Sequence, residues 1–499
     1  MDELRQEISD YYRTIAPQAA EGNPAYARVR REVWEAMDRF AKGNPSANAA
    51  LAKARLHEEL SERFEPVIFP HSPFFFEMAV RPAGNCGQPS PLSAGAWMHC
   101  RRQGLCTDTA AWKNLNALAS PPFALWTVRG PFGREHEIGY GRLFRLGLAA
   151  VIDQVQMHKD ISTDDDRPFL EAAARSGYAM LAVAKRFARK AETMLAAAPN
   201  AGEKNLRTIL DAASRAIAAA PKTLYEGLAM LLFCHEVTAS MEGVPVALPR
   251  QVDRLLIELY RGDLAASRLD EQGVADLIAR WLLHIEGRCG EPRCLELLAG
   301  EEANELTQRI AAAHGRAGLT LLTLRNGPGP GGSAVGSRCE ISVPRVLELC
   351  LQPLTRVDLP PKAKAALPKS LAPALTWEDF HHQFTDTLSS LMHSGGRWLG
   401  QMAACWPRVQ PCPLLSAWTD GCIESAKDCI AMDSGVEVAL VGVDEAACSL
   451  AAIKRAVYDH RAGTLAGAAA RLGELARDIT PVDPLVAAIA RDLGEIANQ

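Results

Sequence analysis

The sequence predicts a helix-rich α/β protein, and three observations carry that prediction. Ala and Leu recur at three- and four-residue spacing along most of the chain, the signature of helices with one buried face. Four short apolar runs, each bounded by Gly, Pro or polar residues, read as buried strands. Hydrophobic residues make up 48% and charged residues 23% of the 499, which supports a packed core and excludes wholesale disorder. The 54 Lys and Arg against 59 Asp and Glu leave a formal charge of −5. Spread over this length, that charge makes no strong field, so neither nucleic acid nor a membrane is an expected partner.

The helical runs fall at 26–64, 140–160, 166–198, 203–220, 222–240, 250–262, 269–287, 300–315, 376–404, 446–474 and 483–498. Thr376-Trp377-Glu378-Asp379 puts acids where a helix dipole favours them, and Pro481-Val482-Asp483 precedes the last run. The strand-like runs are 66–69, 124–129, 319–325 and 436–443. Segment 82–97 is rich in Gly, Pro and Ser and reads as a long structured loop. Residues 353–375, with their prolines and lysines, read as a surface connector. The Gly-rich stretch 327–336 lacks the lysine of GxxxxGK[ST], and prolines remove backbone donors from it. A close-packed loop is therefore a better reading than a phosphate cradle.

The opening MDELRQEISDYYR is charged and has no apolar core, so no secretory signal is expected. No uncharged apolar window reaches 18 residues; the greasiest helix, 228–234, runs into His235 and Glu236. A soluble, cytoplasmic protein follows as the expectation. Its 13 cysteines are odd in number and irregularly spaced, which suits reduced thiols in that compartment. Neither CxxC nor HExxH occurs, and the loose group His284, Glu286, Cys289, Cys294 matches no common zinc spacing. No metal is expected.

A set of motifs in fixed order carries more information. Pro411-Cys412-Pro413-Leu414-Leu415-Ser416 leads to Cys422-Ile423-Glu424 and Asp428, then to Ser449-Leu450-Ala451-Ala452-Ile453-Lys454. Upstream lie Pro66-Val67-Ile68-Phe69-Pro70 with Ser72-Pro73-Phe74, His136 with Tyr140 through Gly147, and Tyr225-Glu226-Gly227-Leu228. Arg250-Gln251-Val252-Asp253 and Asn304-Glu305-Leu306-Thr307 follow, with Arg325 ending the next strand. This series resembles the pyruvate formate-lyase-like glycyl radical enzymes. Their elements include P-x-P-L-L-S, C-I-E-x-x-x-D, D-S-L-A-A-I-K, H-x-x-x-Y…L-x-x-G-L, R-x-x-D and N-E-L-T. Cys448 stands here where that family has the Asp of D-S-L-A-A-I-K. The resemblance runs from about residue 55 to 490, and its strength is the order of the motifs rather than any one of them.

The resemblance implies a ten-stranded α/β barrel with surrounding helices, here as a truncated version. It implies one large domain over 1–499, with a helical extension at 1–54 and the first part of the barrel at 55–325. The candidate Cys loop and connector then occupy 326–375, and the C-terminal part 376–499. It also implies a thiyl radical on a central Cys, formed by a glycyl radical on a neighbouring loop, with a carboxylate nearby as acid or base. The matching position is Cys339 with Glu340, followed by Val346-Leu347-Glu348-Leu349, which looks like the family's L-E-L-A-L helix. Two departures accompany it. Cys and Glu are adjacent rather than one residue apart, so an extended backbone points them to opposite sides. Twelve residues separate Arg325 from Arg338, where the family has a helix and a strand. Gly421-Cys422-Ile423-Glu424 fits G-C-x-E literally, but its flanks place it at the family's downstream element. Cys422 and Glu424 are thus the backup pair, and a buried inert thiol is the competing reading for both cysteines.

Further candidates are ranked against plainer roles. Glu77, Arg81, Trp97 and His136 are the substrate-binding candidates; for His136, helix capping or core packing is preferred. Arg250 and Asp253 read as a structural ion pair, Phe74-Phe75-Phe76 as core and His381-His382 as surface. The family's glycyl motif R-V-x-G-[YF] does not occur in these residues, and the glycyl radical domain is expected to be absent. The first functional expectation is thus a lyase or dehydratase subunit that cleaves a C–C or C–heteroatom bond of a small polar substrate. It binds no cofactor of its own. It needs a glycyl-loop subunit in trans and a radical S-adenosylmethionine activase, and it is expected to be an oligomer. The second is a radical-free descendant that binds a small molecule, serves assembly or catalyses closed-shell chemistry.

Overall fold

The structure, a computed structural model, describes residues 1–15, 24–44, 47–80, 90–103, 108–117, 126–129, 136, 138–197, 202–248, 251–286, 295–298, 300–316, 322–325, 338–351, 376–432, 437–461, 464–476, 479–480 and 483–497. They form two compact units. The first joins 1–109, 135–335 and 406–433; the second joins 110–134, 336–405 and 434–499. Seven strands are described: β1 (Val67–Ile68), β2 (Phe75–Glu77), β3 (Trp126–Arg129), β4 (Leu295–Leu298), β5 (Leu322–Arg325), β6 (Arg338–Ser342) and β7 (Glu437–Val441). The remaining regular structure is helical, so the helix-rich α/β class holds.

The first unit is organised by the 31-residue helix Arg167–Ala197. Ala49–Arg63, Leu148–Ile161 and Glu203–Ser214 pack along it. Its buried stripe of Leu170, Ala173, Met180, Val183, Ala184 and Phe187 recurs at helical spacing. Gly177 lets Leu148–Ile161 approach: a Cβ there would meet Ile152 Cγ1 at 2.7 Å. Helix Leu224–Glu242 is apolar nearly all round and buried along most of its length, the pattern of a core helix. Its first turn is held by Thr223, whose hydroxyl accepts from Glu226 N, and it ends at Gly243 with φ +71°. β1 pairs antiparallel with β2, and β4 pairs parallel with β5.

In the second unit β6 is the central strand of a three-stranded sheet, antiparallel to β3 and parallel to β7. Val343–Leu351 continues directly from β6, and Val443–Ile453 follows β7 after Gly442. The residues up to Cys405 of helix Trp377–Val409, the longest among the described residues, belong to this unit.

Local chemistry subdivides several of the expected runs. Segment 26–64 becomes Pro24–Gly43 and Ala49–Arg63, because Gly43-Asn44-Pro45 stops one helix and Asn48 caps the next, accepting from Ala50 N at 2.8 Å. Segment 140–160 breaks at Gly147, whose φ of +83° and ψ of 161° only glycine adopts without strain. A Cβ there would lie 2.4 Å from the Ala219 carbonyl carbon, which accounts for the glycine of the L-x-x-G-L motif. Segment 446–474 becomes Val443–Ile453, the π-helical turn Lys454–Asp459, Leu465–Ala470 and Leu472–Leu475. The expected loop 82–97 is corrected at its end. Helix Pro91–Arg102 begins there, with Ser90 capping Leu92 N and Ser93 N and Pro91 in the first turn. Residues 326–337 and 353–375 lie outside the described residues.

Candidate active site

Cys339, expected on a loop, sits instead on the central strand β6, opposite Val128 of β3 and Val438 of β7. Pairing on both sides keeps the backbone extended. Its side chain is fully buried. Burial first, and then the neighbouring Glu340 charge, push its thiol up to about 12. At neutral pH the sulfur therefore keeps its proton. That makes a poor nucleophile, but leaves an S–H bond intact for hydrogen-atom chemistry. Glu340 occupies the next register position, opposite Thr127 and Ala439, and is half-buried. Strand alternation turns it to the other face of the sheet from Cys339. A separate cavity of about 740 Å³ in this unit is lined by Trp377, Tyr458, Lys454, Asp459 and Arg461, among others, and Cys339 is not part of it.

The substrate-side candidates among the described residues, Glu77, Trp97 and His136, belong to the first unit and are interior. Glu77, on β2, accepts from the Tyr12 hydroxyl at 2.5 Å and from Ala79 N at 2.9 Å. Trp97 donates its indole N–H to the Val409 carbonyl at 3.1 Å. His136 is fully buried and forms an isolated parallel bridge with Val246. Its N–H donates to Pro245 O at 3.0 Å, and its carbonyl accepts from Ala247 N at 2.8 Å. The backbone of His136 thus joins a short extended pair, and the helix begins later, at Tyr140. Arg81 lies outside the described residues, as does Arg250 of the expected Arg250–Asp253 pair. Cys422 is buried, and burial raises its thiol. Glu424 is exposed, 3.4 Å from Arg142.

Sequence reasoning missed the most polar place in the first unit. Lys53, His57 and Glu242 are each fully buried. Lys53 donates to the Glu242 carbonyl at 2.7 Å, and its Nζ stands 3.8 Å from Glu242 Oε1 and 5.3 Å from the Trp97 ring centroid. His57 Nε2 lies 3.6 Å from the same Oε1, while its Nδ1 is 2.9 Å from Ser176 Oγ. Glu242 Oε2 accepts from Leu414 N at 2.9 Å and Leu415 N at 3.0 Å, at the N-terminus of helix Pro413–Trp418. Burial raises the Glu242 carboxyl to about 7; Lys53 and the two N–H donors hold it from rising further. Burial and then the Lys53 charge push His57 well below the ordinary histidine value. One signal was available: Glu242 is an acid at the C-terminal end of an apolar helix, where the dipole disfavours it.

The structure also explains why the motifs occur together. Asp428 accepts from Cys412 N at 2.7 Å and from Ile430 N at 3.0 Å, and Ser416 Oγ accepts from Cys429 N at 2.9 Å. The P-x-P-L-L-S and C-I-E-x-x-x-D elements thus cap each other. Asp253 Oδ2 accepts from the Thr307 hydroxyl at 2.5 Å and from Leu298 N at 3.0 Å. That ties R-x-x-D to N-E-L-T and to the end of β4.

Comparison with known proteins follows the same lines. The sequence model described as pyruvate formate lyase-like matches residues 132–292 and 335–471, more than half of the chain. The protein belongs to the pyruvate formate lyase-like family. Among solved structures, it resembles the Roseburia inulinivorans protein studied for 1,2-propanediol dehydration, with a TM-score of 0.76 at 13% identity over 100% of this chain and 78% of that one. It resembles the glycerol-bound B12-independent glycerol dehydratase of Clostridium butyricum with a TM-score of 0.73 at 14% identity, over 94% of this chain and 77% of that one. It also resembles the hydroxyproline dehydratase of Clostridioides difficile with bound trans-4-hydroxy-L-proline, with a TM-score of 0.73 at 14% identity over 95% and 78%. At such identities the likeness is one of fold. No curated protein sequence matches the chain.

Proposed function

We propose that this chain is the substrate-transforming body of a glycyl radical lyase that removes water from a small hydroxylated substrate. The observation that carries the reading is Cys339: a buried thiol, held protonated, on the central strand of a sheet inside the family-matched region. The likeness to three structures described for dehydration or as dehydratases favours C–O over C–C cleavage. The starting radical comes from a glycyl loop outside these residues, itself activated by a radical S-adenosylmethionine enzyme.

The reaction then runs on this chain's own sulfur. Cys339 gives its hydrogen atom to the glycyl radical, and the resulting thiyl takes a hydrogen atom from the substrate carbon bearing one hydroxyl. The substrate radical loses the neighbouring hydroxyl as water, which takes up one proton, while the first hydroxyl gives up its own proton. The product radical recovers a hydrogen atom from the Cys339 S–H, so the cycle consumes nothing but substrate. Exclusion of water from the thiol protects the radical. Glu340 is proposed as the proton acceptor, reached through the other face of the strand from Cys339.

The test is activation of the chain together with a glycyl-loop polypeptide and activase under strictly anaerobic conditions, with the vicinal diols glycerol and 1,2-propanediol as trial substrates. Turnover that disappears in Cys339→Ala but persists in Cys422→Ala supports the assignment. Turnover that survives Cys339→Ala refutes it, and a radical signal from this chain alone refutes the need for a second polypeptide. The radical-free alternative draws on the altered Cys-Glu register. It predicts that the trial substrates bind to the chain but are never converted under any activation condition.

A further inference from the structure

We propose that Cys412, Cys429 and Asp428 form a binding site for a thiophilic divalent cation, with zinc as the ion whose preferences fit two thiolates and a carboxylate. One donor atom of each lies within 4.8 Å of the others. Two thiolates bound tetrahedrally at about 2.3 Å from zinc stand about 3.8 Å apart, so the present spacing needs little contraction. All three residues are buried.

The surroundings fix each donor as an outer shell fixes a ligand. Cys412 N and Ile430 N donate to the two oxygens of Asp428, leaving further lone pairs on both. Ser416 Oγ accepts from Cys429 N and donates to Cys412 O at 2.6 Å, so one hydroxyl orients the backbone beneath both thiols. The Cys412 thiol lies 3.9 Å from the Gln410 carbonyl oxygen, and the Cys429 thiol 3.9 Å from Asp428 Oδ1. Cys412 fills the variable place of P-x-P-L-L-S, and Cys429 lies just beyond C-I-E-x-x-x-D, so neither thiol is specified by a motif of the family. Binding a cation requires both thiols to give up their protons.

The experiment uses the full chain, expressed with and without added zinc, with metal content measured by plasma mass spectrometry. The expected result is about one zinc per chain, lost from Cys412→Ser and Cys429→Ser and weakened in Asp428→Asn. Cobalt in place of zinc is expected to give the near-ultraviolet thiolate-to-cobalt absorption in the wild-type chain. That readout needs no variant, and it decides the matter should a serine variant fail to fold. Three results overturn the proposal: no zinc together with no cobalt–thiolate band, zinc retained by the Cys412→Ser, Cys429→Ser double variant, or a native disulfide between Cys412 and Cys429.

Discussion

The two units keep polar chemistry out of water by different means. In the first, Lys53, His57 and Glu242 are charged or chargeable, fully buried, and held by one another and by the backbone N–H groups of Leu414 and Leu415. In the second, Cys339 is equally buried, but its backbone is held by a sheet ladder and its side chain is small and neutral. The contrast separates structural from chemical effects of mutation. Removing a member of the first group leaves a charge without compensation, whereas removing the Cys339 sulfur leaves only a small void. Loss of activity with retained stability is therefore informative at Cys339 and uninformative at Glu242.

Lys53→Met should cause the largest effect. It is expected to cost about 3–5 kcal/mol in urea-unfolding stability, since Glu242 loses its buried counter-cation. A cost near zero would mean that the cluster is not the coupled unit described. Next is pH. The Glu242 carboxyl is raised to about 7, so the folded state holds a proton that the unfolded state gives up first. The Glu242 contribution is complete below about pH 4.5 and is lost as pH rises through about 7, on the order of 3 kcal/mol in all. Stability profiles of wild type and Glu242→Gln should diverge over that window. His57, depressed in the folded state, contributes the opposite slope, losing stability as pH falls below about 6.5. Its removal by His57→Gln should flatten the acid limb.

Cys339→Ala should be milder, about 1–2 kcal/mol, with the circular dichroism spectrum unchanged. A collapse of the sheet would remove the basis for reading its activity. Arg175→Ala sets the lower end. Arg175 meets Glu58 at 2.7 and 2.9 Å, but both side chains reach solvent. A loss under about 1 kcal/mol is expected, shrinking further in high salt.

The helix-rich class was legible because burial of one face imposes a 3.6-residue period, as in Arg167–Ala197. The motif order was legible as well, and the structure gives the reason for part of it: Asp428 with Cys412 and Asp253 with Thr307 are direct contacts between motif residues, and Gly147 lies close against the Ala219 backbone. Boundaries were read less well. Ser90-Pro91 announces a helix by cap and first-turn proline, yet it lay within a Gly- and Pro-rich stretch that masked the signal. Cys339 was expected on a loop because the family resemblance implies a Cys loop in that region. The pairing of β6 with β3 and β7 holds it extended, and neither partner is near it in sequence.

By itself the sequence determined the class of fold and the family. Each of these is written in local period or in short motifs. The tertiary structure alone decided what stands beside what. Lys53 reaches Glu242 across 189 residues, and Glu242 reaches Leu415 across another 173. Beyond the unfavourable place of Glu242 at the C-terminal end of an apolar helix, such partners leave no local trace, because a buried Lys or Glu otherwise looks in sequence like a surface charge. Only the closing of distant segments around it removes the water, and that removal is what shifts the Glu242 carboxyl toward neutrality and holds the Cys339 thiol protonated.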